Sequence, residues 1–129
     1  RKYGKPIILS TGMSDMNEIE HAVEVLGTEN LILLHSTSTY PAKPEELNLR
    51  VIETLSKMLP TPIGYSGHEV GLIPSYAAAV MGACMVERHV TLDRSMWGSD
   101  QSASVEPQGI AKLVNYIREL EAALGTGVK

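Results

Sequence analysis

The chain has 129 residues, enough for one ordinary domain with a core of its own. With 43% hydrophobic and 20% charged residues it reads as a globular domain, and a formal net charge of −4 argues against a nucleic-acid surface, which needs clustered Lys and Arg. No apolar run reaches the length of a membrane span, and the opening Arg1-Lys2-Tyr3-Gly4 lacks the apolar stretch of a signal peptide, so no membrane partner is expected. The single Cys84 excludes an intramolecular disulfide and makes the reducing cytoplasm the expected compartment. The chain starts without Met and enters an apolar run at Pro6, so a piece of a longer protein is expected.

Strand and helix patterns then alternate four times. Pro6 to Thr11 is the first apolar run, stopped by Gly12. Asp15 followed by Glu18 is a capping-box start, and Met16, Ile19, Val23 and Leu26 recur at helical spacing up to Gly27. The run Leu31 to Ser36 predicts a second strand, followed by a polar loop with Tyr40 and Pro41. Leu47, Val51, Leu55 and Met58 predict the next helix, ended by Pro60 and Pro62. A short third strand spans Ile63 to Ser66, and an Ala-rich helix runs from about Leu72 to Met81 with Pro74 in its first turn. The fourth strand is Cys84 to Val90; a long polar loop leads to Glu106-Pro107, and Ile110, Leu113, Val114, Ile117, Leu120 and Leu124 mark the last helix before Gly125. Met13, Met16, Met58 and Met81 read as core filler.

Continuous apolar strands between amphipathic helices predict an α/β fold with a parallel sheet. An open doubly wound domain and half of an eight-stranded barrel both fit the pattern. No glycine-rich dinucleotide fingerprint follows the first strand, and no P-loop is present. Polar groups gather instead at the carboxyl end of every strand, the face where (β/α) barrels build their active sites. Four strands alone would also leave two long unpaired edges. Four βα units of a parallel TIM-type barrel are therefore the expected architecture.

Two strings carry the chemistry. Gly64-Tyr65-Ser66-Gly67-His68 and Glu87-Arg88-His89-Val90-Thr91 each place a histidine at a strand's carboxyl end, 21 positions apart, which is one βα repeat. Neutral imidazole binds divalent metals, so His68 and His89 are candidate ligands of a half-built site; two unrelated loop histidines are an equally weighted alternative on spacing alone. Glu87 shares the strand parity of His89 and can reach the interior, although an ion pair with a neighbouring strand's base is the slightly favoured reading. His35 is expected to be a core histidine with a backbone partner, and His21 a solvated one. Ser10, Ser38 and Ser66, at successive strand ends, suit a phosphate or carboxylate as a set, while any one alone is an ordinary turn cap. In the loop Met96 to Ser104, Asp100 can meet sugar hydroxyls and Trp97 can shield the site; a mobile surface loop is the alternative.

The strings Ser10-Thr11-Gly12-Met13, Ser36-Thr37-Ser38-Thr39-Tyr40-Pro41 with Asn48-Leu49, Gly64 to His68, Glu87 to Asp93, and Gly98-Ser99-Asp100 through Ser104-Val105-Glu106-Pro107 resemble the sialic acid synthases in order and spacing over nearly the whole chain. The wording Tyr-Ser-Gly-His and Trp-Gly-Ser-Asp is similar to the branch with the animal-type enzymes.

The resemblance implies a (β/α) barrel followed by a small antifreeze-like domain, working as a homodimer. Residues 1–129 would then be the second half of the barrel, strands five to eight, without the antifreeze-like domain. The implied reaction condenses phosphoenolpyruvate with N-acetylmannosamine or its 6-phosphate to give N-acetylneuraminate or its 9-phosphate. By the same resemblance His68 and His89 hold a divalent Mn²⁺ or Mg²⁺, Ser10, Ser38 and Ser66 line the phosphoenolpyruvate site, and Tyr40 and Asp100 meet the mannosamine as the catalytic pair. Ser38 stands where some bacterial members have Asn, and Gln101 where many have His. The family's general base and phosphate-binding lysines match nothing in this sequence, so the isolated chain is expected to be inactive. A synthase for legionaminic, pseudaminic or deaminated neuraminic acid is the neighbouring reading, and a non-catalytic half-barrel the reading from a different class.

Overall fold

The computed structural model describes residues 2–128. Four strands, β1 (Ile7–Ser10), β2 (Leu31–Ser36), β3 (Ile63–Gly67) and β4 (Val86–Arg88), alternate with helices α1 (Met16–Leu26), α2 (Val51–Met58), α3 (Ile73–Val80) and α4 (Pro107–Leu124). All pairings are parallel and the order across the sheet is β1-β2-β3-β4. Strictly sequential order is that of a barrel wall; a doubly wound sheet reverses direction at a switch point.

The pleat sorts the side chains. Ile7, Leu9, Leu31, Leu33, Ile63 and Tyr65 turn toward the helices, where they meet Ile19 and Val23 of α1, Ile52 and Leu55 of α2 and Ala78 of α3 in one core. Ser10, Leu34, Ser36, Gly64 and Ser66 alternate with them and line the opposite, concave face. Pairing of Ser66 with Glu87 extends that face onto β4, and Val86 and Arg88 fall on the helix side. With helices on one face only, these are four βα units of half a barrel.

Local chemistry sets the helix ends. Asp15 Oδ1 accepts from the Glu18 amide at 3.0 Å and Glu18 Oε2 from the Asp15 amide at 2.9 Å, the capping box expected at the start of α1. Asp15→Ala is expected to cost about 1 kcal/mol in urea unfolding of the full-length protein; Asp15→Ser should recover most of it. The second helix starts later than the apolar spacing predicts. Leu47 closes a 3-10 turn over Pro44–Glu46, Asn48 adopts φ +41°, and α2 begins only at Val51, because a left-handed residue cannot continue a right-handed helix.

Two further expectations are corrected. The fourth strand is three residues rather than Cys84 to Val90, although Val90 still bridges to Val105 in parallel. Met13 is 93% exposed and Met58 49%, so neither fills the core; Met13 sits at φ +60° in the turn after β1 that the Ser14 amide closes on the Thr11 carbonyl. His35 is the buried core histidine foreseen, its Nε2 donating to the Leu47 carbonyl at 2.7 Å. No described helix is long and apolar enough to cross a membrane.

Candidate active site

Residues that follow β2, β3 and β4 converge at the carboxyl end of the sheet. His68 comes directly after β3, and its Nδ1 lies 2.6 Å from the Thr37 carbonyl oxygen. A carbonyl only accepts, so Nδ1 carries a proton, and in the neutral ring Nε2 presents the lone pair. The His68 backbone is held as well, its carbonyl accepting from the Ala42 amide at 2.9 Å. Half-buried His89 comes directly after β4, with ring centroid 5.1 Å from that of His68 and planes at 73°.

Tyr40 and Asp100 frame this pair. The Tyr40 ring stacks on His89 at 4.3 Å and meets His68 edge-on at 5.4 Å. Asp100 Oδ2 stands 3.5 Å from His89 Nδ1, longer than a hydrogen bond but close enough to favour a ring whose Nδ1–H faces the carboxylate. The Ser104 hydroxyl donates its one proton to the Asp100 carbonyl at 2.8 Å, so Tyr40, 3.1 Å from Ser104 Oγ, is the donor of their bond. This relay fastens the loop bearing Asp100 to the ring that covers His89. Thr91 bonds to the Gln101 side chain and ties the same loop to the end of β4. Farther along it, the Ser95 hydroxyl and amide both donate to Asp93 Oδ1 at 2.7 Å and hold that carboxyl below its ordinary pKa. Trp97 is 98% exposed, so it does not shield the site.

The serines occupy different levels of the concave face. Ser36, Ser66 and Glu87 are register partners in one row; Ser10 pairs with Leu34, a row below. Ser38 lies beyond the end of β2 and packs over Gly12, where a Cβ would collide with its hydroxyl. A level set of Ser10, Ser38 and Ser66 is thus not what the register gives: the strands end at different heights, and Ser36 is the true neighbour of Ser66. Ser66 Oγ donates to Glu87 Oε1 at 2.7 Å, so Glu87 faces the interior and, among the described residues, makes no ion pair with a neighbouring base. An anion at Ser66 requires its hydroxyl to turn away from Glu87.

Sequence reasoning missed the residues behind the histidines. Glu69 and Arg88 form an ion pair at 3.0 Å with both side chains 2% exposed. Tyr65 OH donates to Glu69 Oε2 at 2.8 Å and Ser75 Oγ to Oε1 at 2.9 Å. Burial, with the Glu69 charge beside it, pushes the Tyr65 phenol well above its ordinary pKa and keeps it a donor. The sequence signal was available: each motif histidine has a charged neighbour of opposite sign, Glu69 and Arg88, on the other strand parity.

Among the described residues no three His, Cys, Asp or Glu side chains gather as a metal-ligand group. His68 and His89 are a two-ligand half-set. Their chemistry fits a divalent ion: one imidazole fixed by a carbonyl and one facing a carboxylate, with the remaining positions open to water or substrate oxygen.

A parallel half-barrel with two imidazoles, a tyrosine and a carboxylate at its carboxyl face has the architecture of a (β/α)-barrel enzyme. The chain matches the NeuB family along residues 1–129 and belongs to it. It is 45% identical over 131 residues to the N-acetylneuraminate-9-phosphate synthase of Homo sapiens, covering 99% of this chain and 36% of that protein. It is 44% identical over 133 residues to the N,N'-diacetyllegionaminic acid synthase of Campylobacter jejuni, covering 99% and 40%. The crystal structure of N-acetylneuraminic acid (sialic acid) synthetase from Leptospira borgpetersenii, in complex with citrate, superposes with a TM-score of 0.90 at 38% identity, over 95% of this chain and 44% of that one. The chain thus spans less than half the length of these relatives, which are synthases of sialic and related nonulosonic acids.

Proposed function

We propose that this chain is the second half, strands five to eight, of the barrel of a synthase that condenses phosphoenolpyruvate with N-acetylmannosamine or its 6-phosphate, giving N-acetylneuraminate or its 9-phosphate. The observation that carries the reading is the convergence of His68 and His89 under the Tyr40 ring, beside Asp100. His68 and His89 would hold a divalent ion, Mn²⁺ or Mg²⁺, which supplies Lewis acidity and a template when bound.

The chain's own groups divide the remaining work. Hydroxyls of Ser10, Ser38 and Ser66 on the concave side bind the carboxylate and phosphate of phosphoenolpyruvate. Tyr40 and Asp100 bind the sugar, the carboxylate accepting from its hydroxyls. In the reaction, C3 of phosphoenolpyruvate bonds to the aldehyde carbon of the open-chain sugar, water adds at C2, and phosphate leaves by C–O cleavage. Positioning two substrates in one cleft supplies much of such a rate. The intact enzyme works in the cytoplasm as a homodimer, and the isolated half-barrel is inactive.

The near-equal identity to the human and Campylobacter jejuni enzymes favours one second reading, a synthase for legionaminic acid or a related nonulosonic acid. Phosphate release by the full-length protein, with phosphoenolpyruvate and a panel of mannosamine derivatives, decides between them. Preference for N-acetylmannosamine or its 6-phosphate supports the first reading; preference for a diacetylated sugar supports the second; no release with any sugar overturns both. Chelation with EDTA is expected to abolish phosphate release, and excess Mn²⁺ to restore it. Full turnover after exhaustive chelation would remove the metal from the mechanism.

A further inference from the structure

Behind the two histidines lies a buried charge pair that joins the strands carrying them. Glu69 follows His68 and Arg88 precedes His89, so alternation sends the imidazoles into the cleft and the charged partners to the opposite side. Arg88 Nη1 donates to Glu69 Oε1 at 3.0 Å, to Ser75 Oγ at 3.0 Å and to the Gly71 carbonyl at 2.7 Å; Nη2 donates to the Glu69 backbone carbonyl at 2.5 Å. The guanidinium therefore grips the main chain one residue beyond His68 while its own main chain leads into His89.

The space around the pair is closed. A Cβ at Gly67 would lie 2.7 Å from Glu69 Oε2, 2.9 Å from Arg88 Cδ and 2.9 Å from Tyr65 Cε1, so the strand approaches the pair as nearly as a backbone can. As a source of stability the arrangement is a poor one. Desolvating two charges offsets most of their attraction, and Arg88 Nε is buried without an acceptor among the described residues. An apolar pair would hold the helix to the sheet as well, but without fixed bonds between the two histidine-bearing segments.

We propose that Glu69 and Arg88 are positioning residues that set the separation and aim of His68 and His89 for the ion. The inference rests on the metal reading above and extends it to residues that touch neither ion nor substrate. The planar fork matters: a lysine has one nitrogen and cannot hold the Glu69 carboxylate and its carbonyl in the same geometry.

The test uses the full-length protein. Mn²⁺ affinity is measured by EPR titration, histidine ligation by pulsed EPR, and phosphoenolpyruvate affinity on metal-free protein. The variants are Arg88→Lys, Glu69→Gln and the double variant Glu69→Gln/Arg88→Met, which leaves no unpaired charge should a single variant fail to fold. Arg118→Ala, which breaks the exposed Arg118–Glu121 pair, is the control. Wild type is expected to show two histidine nitrogens on Mn²⁺. The Glu69 and Arg88 variants should bind Mn²⁺ roughly 10- to 100-fold more weakly, the range for residues that orient metal ligands. Phosphoenolpyruvate affinity should stay at the wild-type value, as should everything in the control. Histidine ligation in wild type with unchanged Mn²⁺ affinity in the variants overturns this inference alone. So does a parallel fall in phosphoenolpyruvate affinity, which marks general loosening. Absence of histidine ligation in wild type overturns the metal reading and this inference together.

Discussion

Replacing either His68 or His89 with Ala in the full-length enzyme is expected to lower kcat/KM on the order of 10³-fold, or about 4 kcal/mol of transition-state stabilisation, and to leave the fold intact. The size follows from the ligand count. A two-imidazole half-set that loses one member retains a single protein nitrogen, with nothing else of its kind gathered nearby among the described residues. The fold should survive because both rings lie past strand ends, outside the cluster formed by Leu33, Ile52, Leu55 and Tyr65. His68→Asn separates the two roles of that ring. An amide NH₂ can keep the bond to the Thr37 carbonyl while supplying no equivalent of Nε2. It should be as inactive as His68→Ala and more stable, by roughly the 0.5–1.5 kcal/mol of one hydrogen bond. Steady-state kinetics beside thermal unfolding checks this. Normal turnover and metal affinity in both alanine variants would take the histidines out of the site.

Asp100→Asn keeps the shape of the side chain and removes its charge, and the expected loss is about 1–3 kcal/mol in transition-state stabilisation, the range for one charged hydrogen bond. The loss should fall on the mannosamine. A carboxylate accepts hydrogen bonds from sugar hydroxyls but repels a phosphate, and Asp100 lies on the loop after β4, whereas Ser10 ends β1 and Ser38 follows β2. The structure adds a second consequence. Asp100 Oδ2 is 3.5 Å from His89 Nδ1, so its charge also favours the ring orientation with Nδ1–H toward the carboxylate. The variant should therefore show a modest fall in Mn²⁺ affinity along with poorer use of the sugar, at an apparent phosphoenolpyruvate affinity near that of wild type. Varying each substrate in turn, with Mn²⁺ titrated separately, resolves the contributions. An effect confined to phosphoenolpyruvate, or none on either substrate, would remove Asp100 from the sugar site.

Much of this was legible in the sequence because it depends on short-range periodicity. The runs Leu31 to Ser36 and Ile63 to Ser66 are too apolar for a half-solvated sheet, and Asp15 with Glu18 marks a helix start through contacts three residues apart. Spacing by one βα repeat brought His68 and His89 to the same end of the sheet, and the ring separation of 5.1 Å agrees with that placement. Motif wording extended the reading to Tyr40 and Asp100, which no periodicity singles out.

The remainder waited for tertiary structure, for identifiable reasons. Strand register depends on how far each βα unit is displaced along its neighbour, so only the assembled sheet shows Ser36 beside Ser66 and Ser10 a row lower. Composition alone left Glu87 open to an ion pair, and pleat direction decided otherwise: Glu87 turns to the Ser66 hydroxyl in the cleft, while Arg88, one residue on, turns outward to Glu69. Trp97 and Met13 are apolar by chemistry yet exposed, because the turns that carry them point away from the core. Residue type and spacing were enough to propose candidate site residues and to bring His68 and His89 to one end of the sheet. The alternation of faces and the offset between strands decided which of them meet, since a shift of one residue sends a side chain to the opposite side of the sheet.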